Sequence, residues 1–316
     1  SEPKSAHCNT LHNRRPLMRP HVELIDEKDL IWHVAELPHS TGQARQRNLN
    51  YCEEKGEASL LVEFQSDWSR PAGVHAAQTE WFVLEGEVRV GDELLVKDDY
   101  LIAPVDVLTP SLQVKAGTRV LLFREFGDWT FTPAGAHGAQ RNPAHELAIK
   151  RASQMDWFEV TDPVHGSPMD FSRGGTPVPG LYIKLLHHDK VTGFYTRLIK
   201  AKPNWVEHPL AHHPCYEESY CLQGSFDYNY GQMWPGTYFF RPAGVRHGDF
   251  TSGPEGTTWI LRCDGRLVDW YTDEARVEMH GKPVNWGPDF PGSEPPVLLQ
   301  PTRSRQDDPM IDPSYQ

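Results

Sequence analysis

Residues 213–224 read HPCYEESYCLQG, and an earlier stretch, HAAQTEWFVLEG at 75–86, repeats the spacing of its histidine, glutamate, leucine and glycine. The two histidines lie 138 positions apart, and the same offset aligns DDYLIAPVDVLT (98–109) with GTYFFRPAGVRH (236–247). Single matches are modest, but the spacing of histidine, glycine and proline is kept without a gap across this window. A repeat of this kind predicts two copies of one structural unit in tandem.

The pattern outside the repeat indicates that each copy is built from short strands. Apolar runs such as EASLLVEF (57–64) and GFYTRLIK (193–200) recur at intervals, and the chain of 316 residues contains 27 prolines and 25 glycines. Short runs separated by turn residues are typical of all-β sandwiches and barrels. The best helical stripe is AHELAIKRASQM (144–155), and we predict that it links the two copies.

These observations predict two domains and a tail. We place the N-terminal copy at 20–150 and the C-terminal copy at 151–290. The segment 291–316 is rich in proline, so we expect an extended tail and no further domain there.

Composition excludes several classes of function. The formal net charge is −12 and the basic residues are scattered, so nucleic acid is not an expected partner. No apolar stretch approaches the roughly 20 residues that span a bilayer, and no signal peptide is visible at the N-terminus. The five cysteines are odd in number and form no CxxC pair, so we expect reduced thiols and a cytoplasmic location.

The second copy resembles the cupin family, whose two motifs are G(X)5HXH(X)3–4E(X)6G and G(X)5PXG(X)2H(X)3N. Glu217 and Gly224 fit the end of the first motif, and the second motif matches from Gly236 to His247, with Thr251 in place of its asparagine. The resemblance implies an all-β bicupin with two tandem cupin barrels (double-stranded β-helix, jelly-roll). It is strongest to the branch that includes ChrR-type metal-binding domains and dioxygenases that cleave acetylacetone or dihydroxyacetophenone.

His213, Glu217 and His247 are the predicted metal ligands. The turn after His213 allows His213 and Glu217 to converge from adjacent strands, and the proline–glycine corner in RPAGVRH (241–247) turns His247 inward. Two imidazoles and one carboxylate form the facial set of non-haem iron(II) oxygenases and leave positions open for O2 and substrate. We therefore expect iron(II), with zinc, manganese or nickel as alternatives.

The sequence departs from the family pattern at one ligand. Ala211 stands where the first histidine of HXH belongs, and the interval from the preceding tryptophan to His213 is one residue longer than in the first copy. An extra residue can bulge a strand and turn a neighbouring side chain inward. His212 is therefore a predicted fourth ligand, and His208 is the alternative that the bulge cannot separate from it.

The first copy lacks the ligand set. Thr79 stands in place of Glu217, Thr109 stands in place of His247, and of the three ligands only His75 remains. A lone histidine does not hold a metal tightly, so we interpret this copy as a structural barrel.

The resemblance implies an enzyme that cleaves a C–C bond of a small dicarbonyl or hydroxy-ketone substrate with O2. Glu218 and Tyr216 are the candidate acid–base residues, and Glu218 could instead hold a ligand in place. The alternatives are a redox-inert metal lyase, isomerase or decarboxylase, and a metal-binding sensor of ChrR type. Because barrels of this kind pair through edge strands, we expect a homodimer. An inward arginine would favour an anionic or enolate substrate; the polar and aromatic candidates on barrel strands are Tyr195, Arg197, Tyr228, Arg241, Trp259 and Arg262.

Overall fold

A computed structural model describes residues 19–52, 54–136, 145–162 and 178–272. In these ranges the chain forms strands β1 to β24 and two single-turn 3-10 helices, Glu27–Asp29 and Ala152–Gln154, and it contains no α-helix. The predicted all-β fold is confirmed. The predicted tail at 291–316 lies outside the described residues, and within them no helix is long and apolar enough to cross a membrane.

The strands up to the middle of the chain are β1 (Val22–Asp26), β2 (His33–Val34), β3 (Ala44–Tyr51), β4 (Ala58–Phe64), β5 (Trp68–Arg70), β6 (Gly73–His75), β7 (Gln78–Glu85), β8 (Val88–Val90), β9 (Glu93–Leu95), β10 (Asp99–Ala103), β11 (Leu108–Thr109), β12 (Leu112–Val114), β13 (Arg119–Glu125), β14 (Phe131–Pro133) and β15 (Ala148–Arg151). The remaining strands are β16 (Phe158–Glu159), β17 (Leu181–His188), β18 (Tyr195–Ala201), β19 (Val206–His212), β20 (Glu217–Tyr228), β21 (Gly231–Met233), β22 (Thr237–Arg241), β23 (His247–Cys263) and β24 (Trp270–Thr272).

The N-terminal barrel consists of three antiparallel sheets. The largest has the order β15-β10-β7-β13-β4-β3-β2, and smaller sheets of order β5-β12-β8-β9 and β11-β6-β14 complete the barrel. One core lies inside it and contains Leu60, Trp81, Val83, Val120 and Leu122. These residues alternate along their strands with residues of the opposite face, because side chains of a β-strand repeat every two residues.

The C-terminal barrel is one ten-stranded sheet, and the first strand of the described residues, β1, belongs to it. Its main order is β1-β22-β20-β23-β18-β17-β16. Strand β1 pairs antiparallel with β22, with Ile25 opposite Tyr238. The boundary at residue 20 stays a prediction, but the pairing places Val22–Asp26 on the edge of the C-terminal sheet.

The large sheets of the two barrels pack against each other through a shared core. Phe82 and Leu121 of the N-terminal barrel and Leu198, Tyr220 and Ile260 of the C-terminal barrel lie in one buried cluster. In both barrels the repeated glycine ends the first half of the repeat with a positive φ, 84° at Gly86 and 67° at Gly224. Because another segment of the same chain passes close to each glycine, Thr118 at Gly86 and Gly256 at Gly224, a side chain would not fit at either position.

The predicted helix at 144–155 is wrong. Residue 144 lies outside the described residues, Ala148–Arg151 forms β15, and Ala152–Gln154 forms only a single 3-10 turn. Strand β15 pairs with β10, with Leu101 opposite Ile149. The edge of β10 pairs with Ala148–Arg151, and this tertiary pairing outweighs a weak helical preference.

Candidate metal centre

A bulge in β19 sets the position of His213. The pairing of β19 with β23 places Glu207 opposite Phe250 and Leu210 opposite Gly248, so three steps on one strand match two on the other. The extra residue that the sequence shows is absorbed in this bulge. His213 then follows the last residue of β19, and the turn after it leads directly to Glu217, the first residue of β20.

Three of the four predicted ligands converge. The ligand atoms of His213, Glu217 and His247 all lie within 4.8 Å of one another. The two Nε2 atoms are 3.1 Å apart, and Glu217 Oε2 lies 3.0 Å from His247 Nε2 and 3.9 Å from His213 Nε2. All three side chains are buried.

The hydrogen bonds on the far sides of the imidazole rings show that this group fits a cation. His213 Nδ1 lies 3.1 Å from Asp269 Oδ1 and 3.3 Å from the Val268 carbonyl. His247 Nδ1 lies 3.0 Å from the Val245 carbonyl. These partners only accept hydrogen bonds, so each Nδ1 is the donor and each neutral ring turns the Nε2 lone pair inward. Two lone pairs and a carboxylate oxygen then face one point, and such a set repels itself unless a metal ion or a proton lies between its members.

Glu217 is held as a carboxylate by a second set of charges. Arg241 donates from Nη1 to Glu217 Oε2 at 2.8 Å, and from Nε to Glu23 Oε1 at 2.7 Å. Glu23 lies on β1 and also accepts hydrogen bonds from Tyr228 and His21. Burial raises the pKa of Glu217, but its interactions with His247, Arg241 and His213 outweigh burial and lower the pKa well below its ordinary value. The site therefore offers an ionised carboxylate at neutral pH.

The two histidines differ in their surroundings. Burial lowers the pKa of His247, and the charge of Arg241 lowers it further, so this ring is neutral at physiological pH. Burial also acts to lower the pKa of His213, but Asp269 and Glu217 outweigh it and raise the pKa above its usual value. A cation at the centre would compete with that proton for the lone pair on Nε2.

A cavity of about 70 Å³ lies beside the three ligands. Its walls include the aromatic side chains of Trp205, Phe226, Phe239, Phe250 and Trp259. Arg197 also lines it, is 1% exposed, and has no hydrogen-bond acceptor at Nε or Nη1 among the described residues.

The other candidate ligands lie apart from this group. His212 is buried and ends β19, where it pairs with Trp270, but it does not belong to the converging set. Adjacent residues of an extended chain point to opposite sides, so placing His213 inward leaves His212 on the other side. His208 is 80% exposed and lies 3.0 Å from Asp249. A fourth ligand from His212 or His208 stays a prediction that this geometry does not support.

Both predicted acid–base residues point away from the cavity. Glu218 follows Glu217 on β20 and therefore faces the opposite side of the sheet, where it accepts a hydrogen bond from Tyr238 at 2.6 Å. The hydroxyl of Tyr216 donates to Glu125 at 2.8 Å. Neither residue lines the cavity, because both belong to the packing of one barrel on the other.

These contacts form part of a buried group of five charges between the barrels, which we call the interface network: Arg19, Glu80, Glu125, Glu218 and Arg262. Arg262 Nη2 lies 2.7 Å from Glu80, and Arg19 Nη2 lies 2.8 Å from Glu125 and 3.1 Å from Glu218. Arg262 also pairs with Glu218. Hydroxyl groups complete the network: Ser59, Tyr100, Thr196, Tyr216 and Tyr238.

In the N-terminal barrel an arginine faces the remaining histidine. His75 Nε2, which corresponds to the inward nitrogen of His213, lies 2.7 Å from Arg70 Nη1. Burial and the charges of Arg70 and Arg124 hold the pKa of His75 well below its ordinary value. The guanidinium thus takes the side of the ring that would otherwise face a metal.

Sequence analysis did not predict two residues that support the candidate metal centre. Asp269 comes after the repeat, and Glu23 comes before it, on a strand that joins the opposite barrel. Neither lies in a motif with characteristic spacing. An acidic residue after an apolar run, as in LVDW (267–270), was the only signal for Asp269.

Taken together, the paired β-barrels have a cupin-like fold, and the converging histidines and carboxylate form a candidate metal centre in one of them. The family model described as "Domain of unknown function (DUF4437)" matches residues 23–270, and the chain belongs to this family. Among curated proteins, no sequence matches the chain.

Solved structures share the architecture at low sequence identity. A protein from Nostoc punctiforme described as a "putative dioxygenase" is 16% identical, covers 87% of this chain and 88% of its own, and superimposes with a TM-score of 0.64. The oxalate decarboxylase of Lactobacillus farciminis is 12% identical, with coverage of 80% and 88% and a TM-score of 0.48. A Bacillus subtilis oxalate decarboxylase mutant is 14% identical, with coverage of 80% and 79% and a TM-score of 0.46. At these identities the first likeness supports the fold, and the particular cupin branch stays a prediction.

Proposed function

We propose that this chain is a metal-dependent enzyme, a non-haem iron(II) dioxygenase that cleaves a C–C bond of a small dicarbonyl or hydroxy-ketone substrate. The observation that carries the proposal is the convergence of two imidazole nitrogens and one carboxylate oxygen beside a cavity. A two-histidine, one-carboxylate set is the facial arrangement of non-haem iron oxygenases, and it leaves coordination positions open.

The residues of the chain have distinct roles in this proposal. His213, Glu217 and His247 would hold the metal, which when bound supplies Lewis acidity and a docking point for O2. Arg241 keeps Glu217 ionised through a 2.8 Å ion pair, and Asp269 fixes the ring of His213. Glu218 and Tyr216 have no part in the chemistry, since both lie between the barrels.

The cavity restricts the substrate in size and charge. Its volume of about 70 Å³ is far below the roughly 300–1,000 Å³ of pockets for drug-sized ligands, so the substrate has few heavy atoms. The aromatic walls exclude water from the reacting bond. Arg197 has N–H groups without an acceptor, and these would donate to the oxygen of an enolate.

The remaining expectations belong to the same proposal. The partners are a small-molecule substrate and O2, and the assembly is a homodimer formed through edge strands. The described cysteines Cys52, Cys215, Cys221 and Cys263 are free thiols, which agrees with a cytoplasmic location.

The test is metal content and O2 consumption in wild-type protein and two histidine variants, purified without chelator. We expect about one iron per chain in the wild type and in His208→Ala, because His208 is exposed. His247→Ala should lose the metal and the turnover, since it removes one of three ligands. O2 uptake is measured with pentane-2,4-dione and with a hydroxy-ketone.

Other outcomes would contradict the proposal in different ways. Turnover that persists in metal-free His247→Ala would exclude a metal mechanism. Zinc at one per chain with turnover that needs no O2 would instead support the lyase, isomerase or decarboxylase alternative. Wild-type protein that binds no metal would reduce the C-terminal barrel to a scaffold.

A further inference from the structure

The N-terminal barrel contains two buried arginines that lack a counter-ion. Arg124 is 0% exposed and Arg70 is 3% exposed. Among the described residues, Arg124 Nη1 and Nη2 and Arg70 Nε have no hydrogen-bond acceptor. In the part of the chain that the structure describes, neither guanidinium forms an ion pair. Buried charges are normally paired, because burial removes their hydration without replacement.

Both arginines carry their charge at neutral pH in spite of burial. Burial lowers the pKa of Arg70 to about 9. Burial also lowers the pKa of Arg124 to about 10, against the opposing effects of Tyr51, Asp128 and Glu36. Both values are above physiological pH, so this part of the barrel holds two positive charges.

Arg70 contacts His75, the counterpart of His213, and Arg124 stacks on a tryptophan ring that lies beside His75. Arg70 Nη1 lies 2.7 Å from His75 Nε2, and the ring of Phe131 stacks against both residues. The ring of Trp129 lies 3.4 Å from the Arg124 guanidinium carbon and also contacts His75. The charges of both arginines act on His75. All three side chains therefore belong to one centre.

A buried threonine lies on the strand that pairs with the strand of His75. Thr109 occupies the position of His247 in the internal repeat and pairs with Gly73, two residues before His75. It is 3% exposed, and no described residue forms a hydrogen bond with its Oγ1. We call Arg70, His75, Thr109 and Arg124 the N-terminal centre.

We propose that the N-terminal centre binds a small oxyanion. The two barrels would then use the same place in the fold for opposite charges. The C-terminal barrel contains imidazole lone pairs and a carboxylate, which suit a cation. The N-terminal barrel contains guanidinium and hydroxyl donors, which suit an anion. Such donors suit the oxygens of phosphate or carboxylate. This inference is independent of the proposed enzyme activity.

The experiment measures binding of inorganic phosphate and of acetate to the full-length protein by titration calorimetry, in a buffer free of other oxyanions. The variants are Arg124→Met, Arg70→Met and, as the matched control, Arg89→Met, which removes the same charge from an exposed position of the same barrel. We expect one anion per chain. A charge-assisted hydrogen bond corresponds to about tenfold to hundredfold in affinity, so each of the first two variants should weaken binding by about that factor. Arg89→Met should bind as the wild type does.

Melting temperature provides a second readout that does not depend on a perfectly folded variant. An anion that binds only the folded state raises the melting temperature, so phosphate or acetate should stabilise the wild type and Arg89→Met but not Arg124→Met. Binding must also persist in His247→Ala, which separates this centre from anions held by a metal in the C-terminal barrel.

The two probes distinguish the sources of the oxyanion. Tighter binding of phosphate identifies a phosphate-bearing ligand, and tighter binding of acetate identifies a carboxylate. Wild-type protein that is neither bound nor stabilised by either probe at millimolar concentration would overturn the proposal. So would an Arg124→Met variant that keeps the wild-type affinity.

Discussion

The ring of His213 is fixed from both sides. Asp269 and the Val268 carbonyl accept from Nδ1 at 3.1 and 3.3 Å, and Nε2 points toward Glu217 and His247. A carboxylate behind a ligating imidazole fixes the tautomer and raises the basicity of the ligand nitrogen. The strength of metal binding should therefore depend on a residue that does not touch the metal.

Replacement of Asp269 by asparagine should weaken metal binding by about 10- to 100-fold, the usual effect of losing a partner behind a histidine ligand. The measurement is competition for Zn²⁺ or Fe²⁺ against a chelator of known affinity. Asp249→Asn is the matched control, because Asp249 also contacts a histidine at 3.0 Å, but that histidine is exposed. Equal losses in both variants, or no loss in Asp269→Asn, would show that Asp269 does not position the ligand.

At this scale the sequence predicted the ligands better than their surroundings. His213, Glu217 and His247 were predicted because they fit the spacing of the two cupin motifs, and the structure brings these three side chains together. Asp269 and Glu23 reach the site only through tertiary pairing, so no local spacing records them. The bulge near Leu210 was anticipated as one extra residue, but its position, which decides between His212 and His213, depends on pairing with β23.

Two adjacent glutamates of strand β20 lie in different environments. Glu217 faces the cavity of its own barrel, whereas Glu218 faces the interface network. The network contains three carboxylates and two guanidiniums, so one negative charge is in excess. Burial and the charge of Glu218 raise the pKa of Glu125 to about 7, against the effects of Arg19 and Arg262. By contrast, Arg19 and Arg262 overcome burial and lower the pKa of Glu218 to about 2.

The raised pKa of Glu125 predicts a loss of stability with rising pH. Between the unfolded value of about 4.3 and the folded value of about 7, the folded state binds more protons than the unfolded state. The free energy of unfolding should therefore fall across this window, by about 4 kcal/mol at most for this group. Glu125→Gln keeps an acceptor for Tyr216 and removes the titration.

The measurement is denaturant unfolding of wild type and Glu125→Gln from pH 4.5 to 8. The difference between them should grow in favour of the variant as pH rises and then level off above pH 7. Histidine titrations occur in both proteins and cancel in the difference. Glu63→Gln, at a surface ion pair with Arg45, controls for the removal of one carboxylate. A constant difference between wild type and Glu125→Gln would contradict the assignment.

The strands were predictable where apolar residues were dense along the chain. Strands β4, β7, β18 and β20 coincide with apolar runs of the repeat, because both faces of these strands are buried and the pattern is dense. The segment 144–155 was mistaken for a helix because its strand has only partly buried faces and its pairing partner lies far away in sequence. The secondary-structure preference of a short segment does not show whether a distant strand is available to pair with it.

Two barrels that share a buried core should unfold as one unit. The core shared by Phe82, Leu121, Leu198 and Ile260 and the interface network would both be exposed if either barrel opened alone. We expect a single calorimetric transition with equal calorimetric and van't Hoff enthalpies. Metal binding at the C-terminal site should raise the melting temperature of this single transition, and should not shift only a part of it.

Differential scanning calorimetry in the presence and absence of Zn²⁺ tests this expectation. Two separated peaks, of which only the later or the earlier shifts with metal, would show that the barrels are energetically independent. The control is His247→Ala, whose single peak should stay in place when metal is added.

Strand β1 lies at the edge of the C-terminal sheet and supplies Glu23 to Arg241. During synthesis this strand leaves the ribosome before the N-terminal barrel does, whereas its pairing partner β22 emerges only after that barrel is complete. Until then its hydrogen-bonding edge has no partner within the described fold and is open to pairing with other chains. A fragment that begins at the link between the barrels would include every ligand of the metal centre but not the strand that balances its arginine. The C-terminal barrel therefore depends on a strand that is made before the N-terminal barrel, and cutting the gene between the repeats would separate two sequences without separating two folds.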